Sequence, residues 1–98
     1  MNVRKKGHSF EREVAALFRD LYPEARRGLG QPRGGKEAPD VDGTKFWVEC
    51  KVGKRPNLPA ALNQAVKDTD GRIPIAVCRV DRNPATVTLL LNDFLGLI

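Results

Sequence analysis

The sequence predicts one α/β domain, a mixed β-sheet flanked by helices, with its elements in the order α-β-β-α-β-β-α. Three observations carry this reading. Phe10, Val14, Leu17, Phe18 and Leu21 recur at helical spacing and form an amphipathic stripe. Residues 46–52 alternate, with Phe46, Val48, Cys50 and Val52 on one side and Trp47, Glu49 and Lys51 on the other. Residues 73–80 form a continuous apolar run, the mark of a strand buried on both faces.

The elements follow in order. Residues 1–8 predict a basic arm, and a helix runs from about Ser9 to Leu21, where Pro23 stops it. Residues 26–38 hold four glycines, a proline and four basic side chains, and predict a flexible basic loop. Asp42-Gly43-Thr44-Lys45 fits a type II′ turn with Gly43 at its first central position. That turn pairs Asp40 with Trp47 and leaves Asp40 on the face of Glu49, on the diagonal, about 7–8 Å away. A turn centred on Asp42-Gly43 would pair Asp40 with Lys45 and carry Glu49 too far along the ladder. Asn57 and Pro59 start a second helix that runs to about Asp68, with Ala61, Leu62, Ala65 and Val66 inward. Beyond the buried strand, residues 81–84 make a turn. A strand over residues 86–91 follows, and Asn92 caps a short helix over residues 93–97.

Ninety-eight residues support one core, and 41% hydrophobic against 30% charged residues fit a folded chain. The net charge of +5 is uneven: residues 1–55 hold 13 Lys/Arg against 8 Asp/Glu, and residues 56–98 hold 4 against 4. The whole basic excess lies in one half, which suits a polyanion such as nucleic acid. Its candidate contacts are Arg4, Lys5, Lys6, Arg26, Arg27, Arg33, Lys36, Lys54 and Arg55. Cys50 and Cys78 have neither zinc-ligand nor disulfide-framework spacing, as in a reducing compartment. The N-terminus lacks a signal-peptide core, and no run reaches transmembrane length. The expectation is a cytoplasmic protein without a membrane partner.

The candidate chemistry lies in that basic half. Asp40 and Glu49 offer two carboxylate oxygens, and the main-chain carbonyl of Cys50 offers a third. Hard oxygen donors in small number suit Mg²⁺, with Mn²⁺ as a substitute. A cation held there would polarise a phosphodiester and activate water. Lys51, on the face of Glu49, is placed to orient the attacking water or to stabilise developing negative charge. Trp47 shares that face and can pack beside the site.

Pro39-Asp40 followed by Glu49-Cys50-Lys51 resembles the PD-(D/E)xK nuclease superfamily. Within it, Lys6-Gly7-His8-Ser9-Phe10-Glu11-Arg12-Glu13-Val14 resembles the opening of the archaeal-type Holliday junction resolvases. The resemblance covers residues 5–55 closely and the remainder as an order of elements. It implies a restriction-endonuclease-like core and a further metal-linked acid on the first helix. Helix geometry does not choose that acid, because Glu11 and Glu13 lie about 76° and about 84° to either side of the apolar stripe. The family pattern matches Glu11. The resemblance further implies that Arg27 contacts backbone phosphates, that Gln64 faces the active site, and that the protein acts as a homodimer. The apolar residues Leu89, Leu90, Leu91, Phe94, Leu95, Leu97 and Ile98 offer an interface for that homodimer.

The expected function is therefore a Mg²⁺-dependent endonuclease that resolves four-way DNA junctions. Small size with this pattern fits a bacteriophage or mobile element. Two other readings remain open: a nuclease that nicks flaps, forks or plain duplex, as the similar VRR-NUC type does, and a DNA-binding module without catalysis.

Overall fold

Helix and strand boundaries follow from where each segment can bury its apolar side. The computed structural model describes residues 3–28 and 37–98. Within them the chain forms α1 (Val3–Phe18), β1 (Arg26–Arg27), β2 (Val41–Asp42), β3 (Phe46–Gly53), α2 (Leu58–Asp68), β4 (Ile73–Val80), β5 (Thr86–Leu89) and α3 (Leu91–Leu97). The five strands make one mixed sheet in the order β1-β2-β3-β4-β5. Only β3 and β4 run parallel, joined by the α2 crossover, and every other neighbouring pair is antiparallel.

The alternation of β3 divides the core. Val48 and Cys50, with Ile75 and Val77 of β4, pack against Phe10, Val14 and Ala15 of α1. On the opposite face, Ala76 and Cys78 pack with Ala61 of α2, flanked by Leu58 and Leu62. Small residues on α2 let that helix approach the sheet closely. Its start is capped by Asn57, whose Oδ1 accepts from the Ala60 N–H at 3.0 Å, with proline in the first turn. Phe18, Tyr22 and Phe46 form an aromatic trio, with centroids 6.1–6.5 Å apart, that closes the other end of the α1 layer.

Several expectations are corrected. Residues 3–8 are the opening turns of α1, not a separate arm, because lysine and arginine are good helix formers and no proline interrupts them. The helix ends at Phe18, and Leu17 and Leu21 are 67% and 81% exposed, so the buried stripe is narrower than the periodicity suggested. Val66 faces solvent as well. Arg26 and Arg27, expected in the loop, form the edge strand β1. The last strand stops at Leu89, and α3 begins at Leu91 without a side-chain cap from Asn92. Residues 29–36, the centre of the expected basic loop with Arg33 and Lys36, lie outside the described residues, as does the side chain of Arg4.

The register of β2 on β3 also differs. Val41 pairs with Val48, which sets Asp40 opposite Glu49 and not opposite Trp47. A wider connection replaces the two-residue turn, and the Thr44 hydroxyl anchors it by accepting from Phe46 N–H at 2.9 Å and donating to Phe46 O at 3.1 Å. A slip of two residues keeps each side chain on its face, so Asp40 and Glu49 still share one. Gly43 is required here: its φ is +84°, and a Cβ would stand 2.3 Å from the Glu24 carbonyl oxygen.

The burial pattern yields a contrast within residues that sequence alone groups together. Val48 is fully buried, so Val48→Ala should lower unfolding free energy by about 2 kcal/mol in urea titration. Leu17→Ala, from the same apolar set, should change it by less than about 0.5 kcal/mol.

Candidate functional site

The site forms where β2 and β3 part. Asp40 N–H donates to Val48 O at 2.8 Å, but the Asp40 carbonyl turns away and accepts from Gly28 N–H at 2.8 Å. Cys50 N–H then donates to the Asp40 carboxylate, at Oδ2, 2.8 Å away. A side chain thus stands in for a strand carbonyl, and the sheet opens at that point. Gly28 makes the approach of β1 feasible, since a Cβ there would stand 1.9 Å from the Pro39 carbonyl oxygen.

The opening is a cleft of ≈ 480 Å³, lined by Glu11 and His8 of α1, by Asp40, and by Glu49, Cys50 and Lys51 of β3. Four of the residues expected to do chemistry therefore meet in one place. Glu49 and Lys51 reach it because strand parity puts them on the same face of β3. The Cys50 side chain goes the other way into the α1 core, leaving its main chain at the cleft. Burial pushes the Cys50 thiol well above its ordinary range, so the sulfur stays protonated and takes no part.

Charge distinguishes the two helix acids that geometry left equivalent. Glu11 lines the cleft and accepts from Arg27 Nε at 3.0 Å. Glu13 points elsewhere and pairs with Arg79 at 2.7 Å. Arg27 is thus engaged with an acid of the cleft, and Arg26 lies 3.7 Å from Asp42. Lys51, Lys54 and Arg55 are exposed, and Lys6 is held by Asp81. Gln64 does not line the cleft; it is exposed and donates to Asp68. Asp68 in turn adds to the negative field at Glu49. Trp47 is buried and lies under the Arg72 guanidinium, 5.1 Å from its ring centre. Arg72 also bonds Asp42 at 2.8 Å and Asp70 at 2.9 Å. This clamp across β2, β3 and the start of β4 left no local signal in the sequence.

The two central acids are costly to ionise. Desolvation raises Asp40 from 3.8 to about 6, opposed by the Cys50 N–H bond and by Lys51, and reinforced by Glu11. Desolvation and the neighbouring Asp40 raise Glu49 from 4.5 to about 7. Two part-buried carboxylates that repel each other are stabilised by a proton or by a cation, which is the donor chemistry a hard metal ion requires. Among the described residues, no group of three or more His, Cys, Asp or Glu side chains is gathered closely enough to hold a metal ion. The arrangement is a two-carboxylate site with Glu11 beside it, held by Arg27.

The chain matches no protein-family model, no curated protein and no solved structure.

Raised acid pKa values give a pH signature. The stability tied to protonated Asp40 and Glu49 is fully present below about pH 4 and is lost as pH rises through 6 and 7. Asp40→Asn with Glu49→Gln should therefore be more stable than wild type at pH 8. The gain should be on the order of 2 kcal/mol after allowance for solvent screening at the half-exposed Glu49. The two proteins should converge at pH 4. Equal melting profiles across this range would remove the charge strain.

Proposed function

We propose that this protein is a divalent-cation-dependent DNA endonuclease with a restriction-endonuclease-like core of the PD-(D/E)xK type, and that it resolves four-way junctions. The observation that carries the reading is the parted β2–β3 strand pair, which sets Asp40 opposite Glu49 and opens both, with Lys51, into one cleft. The mixed sheet with α1 on one face and α2 on the other supports the core assignment.

Asp40, Glu49 and the Cys50 carbonyl are the groups that would hold Mg²⁺ or Mn²⁺, with Glu11 beside them. Such an ion, when bound, supplies Lewis-acid polarisation of the scissile phosphate. The remaining work falls to the chain. Cys50 N–H fixes the orientation of the Asp40 carboxylate, so that one oxygen is occupied and the other is presented to the cleft. Lys51, exposed on the face of Glu49, orients the attacking water or offers its ammonium to negative charge developing on the phosphate. Lys54 and Arg55, exposed just beyond β3, supply cations for the flanking backbone.

The homodimer is part of the same proposal. Leu91, Phe94, Leu95 and Ile98 are exposed, and α3 buries none of its residues. A seven-residue helix gains little stability alone in water, so an apolar partner surface is what sustains it. A second copy also supplies the second cleft that paired incision needs. Among the described residues no helix is long and apolar enough to cross a membrane. The buried free thiols of Cys50 and Cys78 support a cytoplasmic location.

Cleavage of a synthetic four-way junction with Mg²⁺ or Mn²⁺, against linear duplex of the same sequence, tests the activity. Glu49→Gln and Asp40→Asn should each lower the rate by at least about 10²-fold while the fold persists. An intact junction after prolonged incubation sinks the proposal, and equal cutting of both DNAs moves it to a duplex-nicking enzyme. In light scattering, wild type should run at twice the chain mass, and Phe94→Asp with Leu91→Asp should halve it.

A further inference from the structure

A second hollow adjoins the acid cleft and shares Phe10 and Val52 with it. It measures ≈ 910 Å³ and lies between the first turns of α1 and the β4–β5 turn. Its floor is the Arg79 guanidinium, which lies 4.7 Å from the ring centre of the buried Phe10, with Val52 beside it, and Lys5, Lys6 and Arg82 add further cations. Lys6 and Arg79 are balanced by Asp81 and Glu13, whereas Lys5 and Arg82 have no carboxylate partner among the described residues. A guanidinium plane beside uncompensated cations suits a flat heteroaromatic base that carries a phosphate.

The turn beside the hollow points the same way. Arg82 has φ +66°, a left-handed conformation that glycine or asparagine adopts at much lower cost. The strain is held by the surrounding bonds: Asn83 N–H to Val80 O at 2.9 Å, Asp81 N–H to Gly53 O at 2.8 Å, and Asn83 Nδ2 to Asp81 O at 2.9 Å. No hydrogen bond or ion pair of the Arg82 side chain repays that strain within the described fold. The exposed Arg82 guanidinium, without a partner among the described residues, is available at the edge of the hollow.

We propose that this hollow is a subsite for one unpaired nucleotide of the DNA strand that passes through the acid cleft. The inference rests on the nuclease reading and deepens it by naming the DNA feature selected. A base in an intact duplex is held in its stack and cannot enter; a base at a branch point or in a flap can. The base lies over the Arg79 guanidinium and Val52, and Lys5 and Arg82 take its phosphate.

Fluorescence anisotropy in EDTA tests this with two probes of one sequence, a flapped duplex and a blunt duplex. Lys5→Ala with Arg82→Asn removes both uncompensated cations and keeps a residue that tolerates positive φ. It should weaken flap binding about 10-fold and blunt-duplex binding less, and should flatten the salt dependence of flap binding. Ser9→Trp fills the hollow while retaining every charge. It should weaken flap binding and leave blunt-duplex binding unchanged. Melting temperatures of both variants report whether they fold. An unchanged flap-to-duplex ratio in both folded variants overturns the subsite, and if wild type still cuts junctions with Mg²⁺ the nuclease reading stands without it. Wild type that neither binds nor cuts either DNA overturns both.

Discussion

Where β2 and β3 part, Cys50 N–H is met by the Asp40 carboxylate at 2.8 Å in place of a strand carbonyl. A buried amide with no acceptor would cost about 1–3 kcal/mol, so this side chain carries a structural duty before any chemical one. The same bond turns Asp40 toward Glu49. The two-residue strand β1 and the glycine after it complete the arrangement from the outside: Gly28 N–H engages the Asp40 carbonyl, and Arg27 engages Glu11. Without β1, both Asp40 and Glu11 would lose an anchoring partner at once.

Charge and burial act against each other at this point. The fold gathers acids inside a chain whose net charge is +5, and it places Arg27 beside Glu11 but gives Glu49 no ion pair among the described residues. The penalty falls on Asp40 and Glu49, whose pKa values rise because the cleft is partly dry and because Glu11 adds negative charge at Asp40 and Asp40 adds it at Glu49. Such strain commonly marks functional sites, where a bound charge relieves it.

Legibility in the sequence tracks how local each cause is. The strand at Ile73–Val80 and the helix ending at Asp68 appear where the apolar run and the Asn57 cap put them, because both signals lie within the element. The face shared by Asp40 and Glu49 was legible too, since parity survives a two-residue slip. The loop length that sets the slip was not, because Thr44 and Gly43 are fixed by Phe46 and by the distant Glu24. The strand Arg26–Arg27 exists only through its pairing with β2. Glu11 and Glu13 could not be told apart on a helical wheel, because Arg27 and Arg79, which separate them, arrive from other elements. Gln64 was placed at the site by the resemblance alone; the face of α2 that meets the sheet is set by Ala61 and Ala65, and Gln64 stands exposed beside Asp68.

Trp47 stands two residues before Glu49 on β3, buried, with its indole N–H meeting no acceptor and a guanidinium against its ring. It is the chain's one tryptophan. An indole in a dry, cation-capped setting emits at shorter wavelength than one in water, so the intrinsic fluorescence of this protein has a single source on the strand that carries Glu49 and Lys51. Any event that loosens β3 from Arg72, whether heat or a bound strand, is written into that one emission band without a label.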